Sequence, residues 1–551
     1  KPKLWGCTLA MARPIHAKDV GLSLSKLVEH YELGRKDQSA LLATKGRHLN
    51  DFTEQEVADM CTYNAADTDQ CYALLRKLIP QTRRDEVKLL DMTIRMLIEP
   101  QFDADVDLLR RTLEEESIRR QKAMLEAAKT MDVYDPLVSE DDNIAAVLKV
   151  LSSAAKFATF LQTLGVEVPL KVSPRTGKDI PALAKTDEDF LALQEHQNPV
   201  VASAAAARLD AKSTILQTRI QAFLDAAGAH PKSQVPIPLK YYGADTTGRW
   251  SGWGYNPQNL PRINPYNQRP SDALRKSLVA PPGHKVVVAD LSGIELRVNH
   301  YLWKVESSMD MFNADPEKAD LYKDFASKLY DVPFAEVTKQ QRQVGKVAHL
   351  GLGFGAGWKT FMTVAKVMGG VELEENESRD IVEKWRSQYY GIAQGWRTCH
   401  NVLPIIMRGA TGEALDPWGM VIPTPEGLQT PKGIIRYPSL RTERNEDDGR
   451  MEFVYGHGRN KARIYAGKID ENIVQHLARC VIADNALTVQ QITKLNPALM
   501  VHDELVYVVP EDEAELMLDI VQEVMRTPPT WWPELVTWSE GDIADTYGDA
   551  K

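Results

Sequence analysis

Val286-Val-Val-Ala-Asp290-Leu-Ser-Gly-Ile-Glu-Leu-Arg297 changes period in its middle. Its first four residues form a continuous apolar run after Pro281, Pro282 and Gly283, the pattern of a buried strand, and a helical pattern resumes at Ile294. Asp290 therefore stands at a strand-to-helix turn. A second such place is Leu499 to Pro510, where apolar residues flank His502, Asp503 and Glu504 as if at a hairpin tip. Alone, either Asp reads as a turn residue. Together, on neighbouring strand ends facing one cleft, they are what a pair of Mg²⁺ ions needs, because hard cations prefer oxygen and keep sites open for substrate phosphates.

Between these two places, Thr338 and Gln341 form a capping-box pattern, and Arg342, Lys346, Leu350 and Phe354 then recur every four residues. One reading is an amphipathic helix with solvated charges. The other is that Arg342 and Lys346 grip a triphosphate while Leu350 and Phe354 pack against a sugar and base. Gly351, Gly353, Gly355 and Gly357 weaken the helix end, each by about 1 kcal/mol relative to Ala.

The chain has 551 residues, enough for several domains, with 43% hydrophobic and 26% charged residues, which excludes disordered, collagen-like and disulfide-scaffold classes. No run approaches the roughly 18 apolar residues of a membrane span, and Lys1 to Ala12 lacks a signal-peptide layout. Cys7, Cys61, Cys71, Cys399 and Cys480 show no CxxC pairing, so neither a zinc site nor a disulfide framework is expected, and a reducing, cytoplasmic setting fits. The chain begins at Lys1 rather than Met, which reads as a processed or trimmed product. Net charge is -10, but residues 511–551 hold eleven Asp or Glu against Arg526 and Lys551. The remaining residues are close to neutral, which leaves room for a basic cleft.

Periodicity predicts an α-rich region over 1–80, closed by Pro80, then long helices over 106–131 and 200–228 that could pair antiparallel. Lys171 to Lys185, basic and broken by Pro174, Gly177 and Pro181, reads as an exposed loop. No Gly-x4-Gly-Lys-Ser/Thr loop occurs.

In Asp290-Leu-Ser-Gly-Ile-Glu-Leu-Arg297 the sequence resembles the first palm motif of the DNA polymerase I family, or family A, usually written Asp-Tyr-Ser-Gln-Ile-Glu-Leu-Arg. Arg342, Lys346, Gly351 and Gly355 match its fingers-helix spacing, and His502-Asp503-Glu504 its last palm motif. Thr247-Gly-Arg-Trp-Ser251 with Asn256, Gln258 and Asn259 resembles its template-primer contact segment. Gln475 resembles its minor-groove Gln, and Tyr241 to Arg262 is most similar to the bacteriophage-encoded branch. The resemblance implies an α+β polymerase right hand, with an antiparallel palm sheet and helical fingers and thumb, plus a partial α-rich exonuclease-like N-terminal region. The expected division is an exonuclease-like remnant over 1–80, the start of the palm and the thumb over 81–235, palm over 236–305, fingers and an inserted hairpin region over 306–470, and palm again over 471–551.

It further implies template-directed addition of deoxynucleotides to a primer 3′ end, in phage DNA replication, by two-metal phosphoryl transfer. Asp290, Asp503 and the backbone carbonyl of Leu291 would hold two Mg²⁺, with Mn²⁺ as a substitute. Arg342 and Lys346 would serve the triphosphate, Glu295 would exclude a 2′-hydroxyl, and Leu350 and Phe354 would line the sugar and base. Arg249, Asn256, Gln258, Asn259, Gln475 and His502 would contact primer-template DNA without specifying bases. Departures are Leu291 and Gly293 in the first motif, and Leu350 and Phe354 where relatives commonly carry Phe or Tyr and then Tyr, so that a hydroxyl is lost. Tyr322 stands where many relatives place a fingers His. Tyr63-Asn-Ala-Ala-Asp67 is similar to the third exonuclease motif, yet the upstream Asp-x-Glu is absent from 1–80, so Tyr63 and Asp67 read as an inactive remnant. A monomer bound to DNA and deoxynucleoside triphosphates is expected, with no membrane partner. The rival readings are a nuclease using Asp67 and a catalytically silent DNA clamp.

Overall fold

The computed structural model describes residues 2–16, 18–34, 44–172, 178–184, 187–262, 272–445 and 449–550. At its centre is a four-stranded antiparallel sheet of β1 (His284–Leu291), β2 (Leu499–Val501), β3 (Glu504–Pro510) and β4 (Ser539–Ala544), in spatial order β2-β3-β1-β4. Val286, Val287, Val288 and Ala289 are all buried, which is why the central strand reads as a continuous apolar run rather than an alternation.

The chain reaches this sheet through α1 (Thr8–His16), α2 (Leu24–His30), α3 (Glu54–Leu78) and α4 (Arg84–Ile98). Ala10, Met11, Leu27, Leu74 and Leu78 join the same apolar cluster as the sheet, so the N-terminal helices share the main core. Helix α3 opens on a Thr53–Glu56 capping box and gives way to a 3-10 turn holding Pro80.

A second apolar cluster, running from Met124 to Ala211, stands apart from the first. It is built by α5 (Val106–Thr130), α6 (Glu140–Leu151), α7 (Ala154–Thr163) and α8 (Pro199–Lys212), with α9 (Ile215–Ala229) also packed on α5. The helix expected over 200–228 is thus two helices broken at Ser213 and Thr214. The apolar pattern runs through the break, but Ser and Thr favour local turns and caps, and Thr214 supplies the start of α9. Of the loop expected over 171–185, Pro174, Gly177 and Lys185 lie outside the described residues, while 170–172 and 179–181 pair as short antiparallel strands.

Further helices include α10 (Ile294–Leu302), α11 (Leu321–Tyr330), α12 (Lys339–Leu352), α13 (Trp358–Gly369), α14 (Tyr390–Met407), α15 (Ala466–Thr493) and α16 (Ala514–Arg526). Helix α16 packs across β1 and β4, and α15 carries 17 buried residues among its 28, so it is a core helix rather than a surface one. Two three-stranded antiparallel sheets lie between α14 and α15, in the region read as an inserted hairpin. All five cysteines are free thiols. Among the described residues no single helix is long and apolar enough to cross a membrane.

Candidate active site

The two carboxylates singled out from the sequence meet through backbone register. In the β3–β1 pairing Glu504 lies opposite Asp290, and the Leu291 N–H donates to the Asp503 carbonyl at 3.1 Å. Val501 pairs with Glu504, leaving His502 and Asp503 as the hairpin turn, with His502 at φ 54°. That left-handed turn matches the strand twist. Beyond Asp290 the chain reverses at Gly293, whose φ of 61° is the left-handed conformation glycine adopts without a Cβ penalty, and α10 begins. Both Asp290 and Asp503 are half-buried. Glu504, beside them, is buried and accepts a hydrogen bond from the Tyr547 hydroxyl at 2.6 Å.

The donor set fits a hard divalent cation: oxygen ligands on adjoining strand ends, accessible from one side. Among the described residues no group of three or more Asp, Glu, His or Cys gathers as a metal cage.

Helix α12 supplies the opposite side. Thr338 Oγ1 accepts from the Gln341 N–H at 3.3 Å and Gln341 Oε1 accepts from the Thr338 N–H at 2.9 Å, so the expected capping box is formed. Val344, Gly345, Val347, Ala348 and His349 are buried, whereas Arg342, Lys346 and Leu350 are exposed along one face. Phe354 does not continue that stripe. The helix ends at Leu352 with Gly353 as its cap, and Gly355 takes φ 83°, so Phe354 lies in the turn and packs, half-buried, against the main core. Among the described residues Lys346 has no ion-pair partner. Arg342 donates from Nε to Asp320 Oδ2 at 2.5 Å, and its guanidinium lies 5.4 Å from the Tyr322 ring centre. A cleft of about 250 Å³ is lined by Ser292, Gly293, Asp320, Tyr322, Arg342 and Glu540. Glu540 is the register partner of Asp290 on β4, which puts α12 and the Asp290 turn on one cleft.

Arg249 and Glu295 form an ion pair at 2.8 Å. Burial pushes the Glu295 carboxyl above its ordinary range, Arg249 pulls it back, and Glu471 adds to the rise. Burial, then the Arg249 charge, holds the His502 imidazole below its usual value. Gln475 Nε2 donates to Glu471 Oε1 at 3.1 Å. Gln258 is buried and donates to the Met500 carbonyl at 3.2 Å, which ties its segment to the hairpin strand. Asn256 sits at φ 48°, and the Asn259 carbonyl accepts from Arg219 at 2.7 Å. Tyr63 and Asp67 are half-buried one turn apart on α3.

Sequence reasoning missed the residues that aim Arg249. Arg479 and His476 of α15 bond the carbonyls of Gly248 and Thr247 at 3.1 Å each. Arg479 is held in turn by Glu86 of α4 at 2.6 and 2.7 Å, and its guanidinium lies 4.9 Å from the Trp250 ring centre. Burial raises the Glu86 carboxyl, but the Arg479 charge and the hydrogen bonds from Arg479 and Tyr241 bring it down to about 2. Glu86 and Arg479 are 393 positions apart, and no local pattern announces such a pair.

Comparisons with known proteins find DNA polymerases. The model of DNA polymerase family A matches residues 152–401. The chain is 27% identical over 357 residues to a DNA polymerase of Bacillus phage SP02, covering 58% of this chain and 53% of that protein. It is 31% identical over 146 residues to DNA polymerase I of Pseudomonas aeruginosa, covering 26% and 15% of the two chains. The chain thus spans about half the length of the phage relative and less of the bacterial one. Among solved structures, the POL domain of Pol1 from M. smegmatis, in complex with DNA primer-template and dNTP, superposes with a TM-score of 0.64 at 19% identity, over 98% of this chain and 82% of that one. That likeness shows the fold, a polymerase right hand. The chain is thus similar to DNA polymerase family A over residues 152–401, and it shares the polymerase fold.

Proposed function

We propose that the protein is a template-directed DNA polymerase that adds deoxynucleotides to a primer 3′ end, in the replication of phage DNA. The observation that carries this reading is the juxtaposition of Asp290 and Asp503 by strand register, next to the cleft that Ser292, Gly293 and Arg342 line. Asp290, Asp503 and the Leu291 carbonyl would hold two Mg²⁺, which when bound supply charge stabilisation at the transferring phosphate and a lowered pKa at the primer hydroxyl. Arg342 and Lys346 bind the triphosphate, as fork and point charge respectively. Glu295, held by Arg249, crowds the 2′ position, and Leu350 lies by the 3′ position with no polar atom to offer. Arg249, Asn256, Asn259, Gln475 and His502 face the duplex, while Gln258 positions their segment from within. Helices α5, α8 and α9 form the thumb in the division of the chain given above. Tyr63 and Asp67 belong to an exonuclease-like remnant without the carboxylates that two metals need.

The test is a 5′-labelled primer on a longer template, incubated with Mg²⁺ with and without deoxynucleoside triphosphates. Template-dependent lengthening is expected. Shortening in the absence of nucleotides would favour the nuclease, and binding with neither change would favour the clamp.

A further inference from the structure

Asp320 is the N-cap of α11, where its Oδ1 accepts from the Lys323 N–H at 2.9 Å. Its other oxygen accepts from Arg342 Nε at 2.5 Å. One carboxylate thus ends a helix and seizes a guanidinium on the next helix by its inner nitrogen. Among the described residues no further hydrogen bond engages the terminal nitrogens of Arg342. The separation of the two helices is fixed by backbone: a Cβ on Gly345 would lie 2.1 Å from the Tyr322 carbonyl, so only glycine permits this approach. His349, buried beneath the stripe, bonds the Leu321 carbonyl at 3.2 Å across the same seam. The Tyr322 ring lies beside the guanidinium, and Asp320 is 21% exposed against 44% for Arg342.

We infer that Asp320 is a positioning residue for nucleotide binding: by holding Arg342 through Nε it presents both terminal NH₂ groups as a preset fork to the triphosphate. The inference rests on the nucleotide-addition reading. A free Arg side chain loses rotamer entropy when it binds, whereas a tethered one has already lost it. Asp320 touches no reacting atom and acts only through Arg342.

The test separates this role from helix capping. Asp320→Ser keeps a good N-cap but is too short to reach Arg342, and Asp320→Asn keeps the cap and a neutral acceptor. Nucleotide affinity is read by trapping the complex with matched deoxynucleotide on a primer ending in a dideoxynucleotide, which needs no turnover. Asp320→Ser is expected to weaken nucleotide binding about 3- to 10-fold, with primer-template affinity unchanged and Asp320→Asn in between. In an Arg342→Lys background, Asp320→Ser should add less than about two-fold, because the interaction has already gone. An undiminished effect in that background, tighter binding, or no change would overturn the inference while leaving nucleotide addition intact. Failure of the unmodified protein both to extend primers and to trap nucleotide would overturn the parent reading and this one with it.

Discussion

Asp290 sits on a strand hydrogen-bonded along both edges, whereas Arg342 and Lys346 sit on the exposed face of a helix that runs out into alternating glycines. The strand fixes its carboxylate through backbone register, and moving it one position would exchange the two buried faces that Val286 to Ala289 fill. The helix holds Arg342 by a single charged side-chain bond, and Gly351, Gly353, Gly355 and Gly357 leave its exit cheap to reshape. A site that must place metals cannot shift, and a surface that meets each incoming nucleotide has reason to. The sheet side is thus held by the ladder, and the helix side by a few replaceable contacts.

The largest effect should come from the rigid side. Asp290→Asn is expected to slow single-turnover nucleotide addition by about three or more factors of ten while primer-template affinity stays within a few-fold, because phosphate contacts elsewhere dominate binding. Near-normal addition would break the contrast at once. The support under Thr247 to Arg249 should be nearly as sensitive: Glu86→Gln leaves Arg479 buried with its charge uncompensated and should cost about 3–5 kcal/mol in denaturant unfolding. On the helix side Arg342→Ala and Lys346→Ala should each lower kcat/KM for nucleotide by roughly 10- to 100-fold without weakening duplex binding. Loss of duplex affinity instead would return α12 to the solvated-face reading.

Leu350→Tyr sharpens the comparison further. It adds a hydroxyl by the 3′ position, so rejection of dideoxynucleotides should fall by about one factor of ten or more, about 1.4 kcal/mol each, measured as a ratio of single-turnover rates. The smallest expected effect lies at the joint between the two sides. Asp470 of α15 is fully buried and accepts from the indole N–H groups of Trp303 at 2.7 Å and Trp396 at 3.1 Å. Burial pushes its carboxyl up to about 7 against those two donors, with Glu471 adding to the rise. Because the folded value lies above the unfolded one, its stabilising contribution is complete below about pH 4 and is lost as pH rises through about 7. Asp470→Asn should therefore lessen the fall in melting temperature between pH 5 and pH 8, and an unaltered difference would show that this carboxyl does not titrate there.

What could be read from the sequence follows the same division. Strand β1, the His502–Asp503 turn, the start of α10 at Ile294 and the Thr338 capping box all rest on neighbours in the chain, so local pattern sufficed. Phe354 was misplaced because a four-residue spacing says nothing of where glycines stop a helix, and the break at Ser213 was hidden by apolar residues that stay in phase across it. The Glu86–Arg479 pair, the Asp320–Arg342 bond and the two indoles on Asp470 depend on partners brought from 393, 22 and up to 167 positions away. Such partnerships exist only once the chain has folded. Gln258 shows the converse, a residue whose motif matched but whose side chain is spent inside the protein.

The central claim is that Asp290 and Asp503 together hold the ions that serve nucleotide addition. It is tested most directly by counting Mn²⁺ bound, by electron paramagnetic resonance, to the complex of protein, dideoxy-ended primer-template and matched deoxynucleotide. The account predicts two ions per complex for the unmodified protein and a clear loss for Asp503→Asn. Two ions retained in that variant, or none in the unmodified protein, would contradict it.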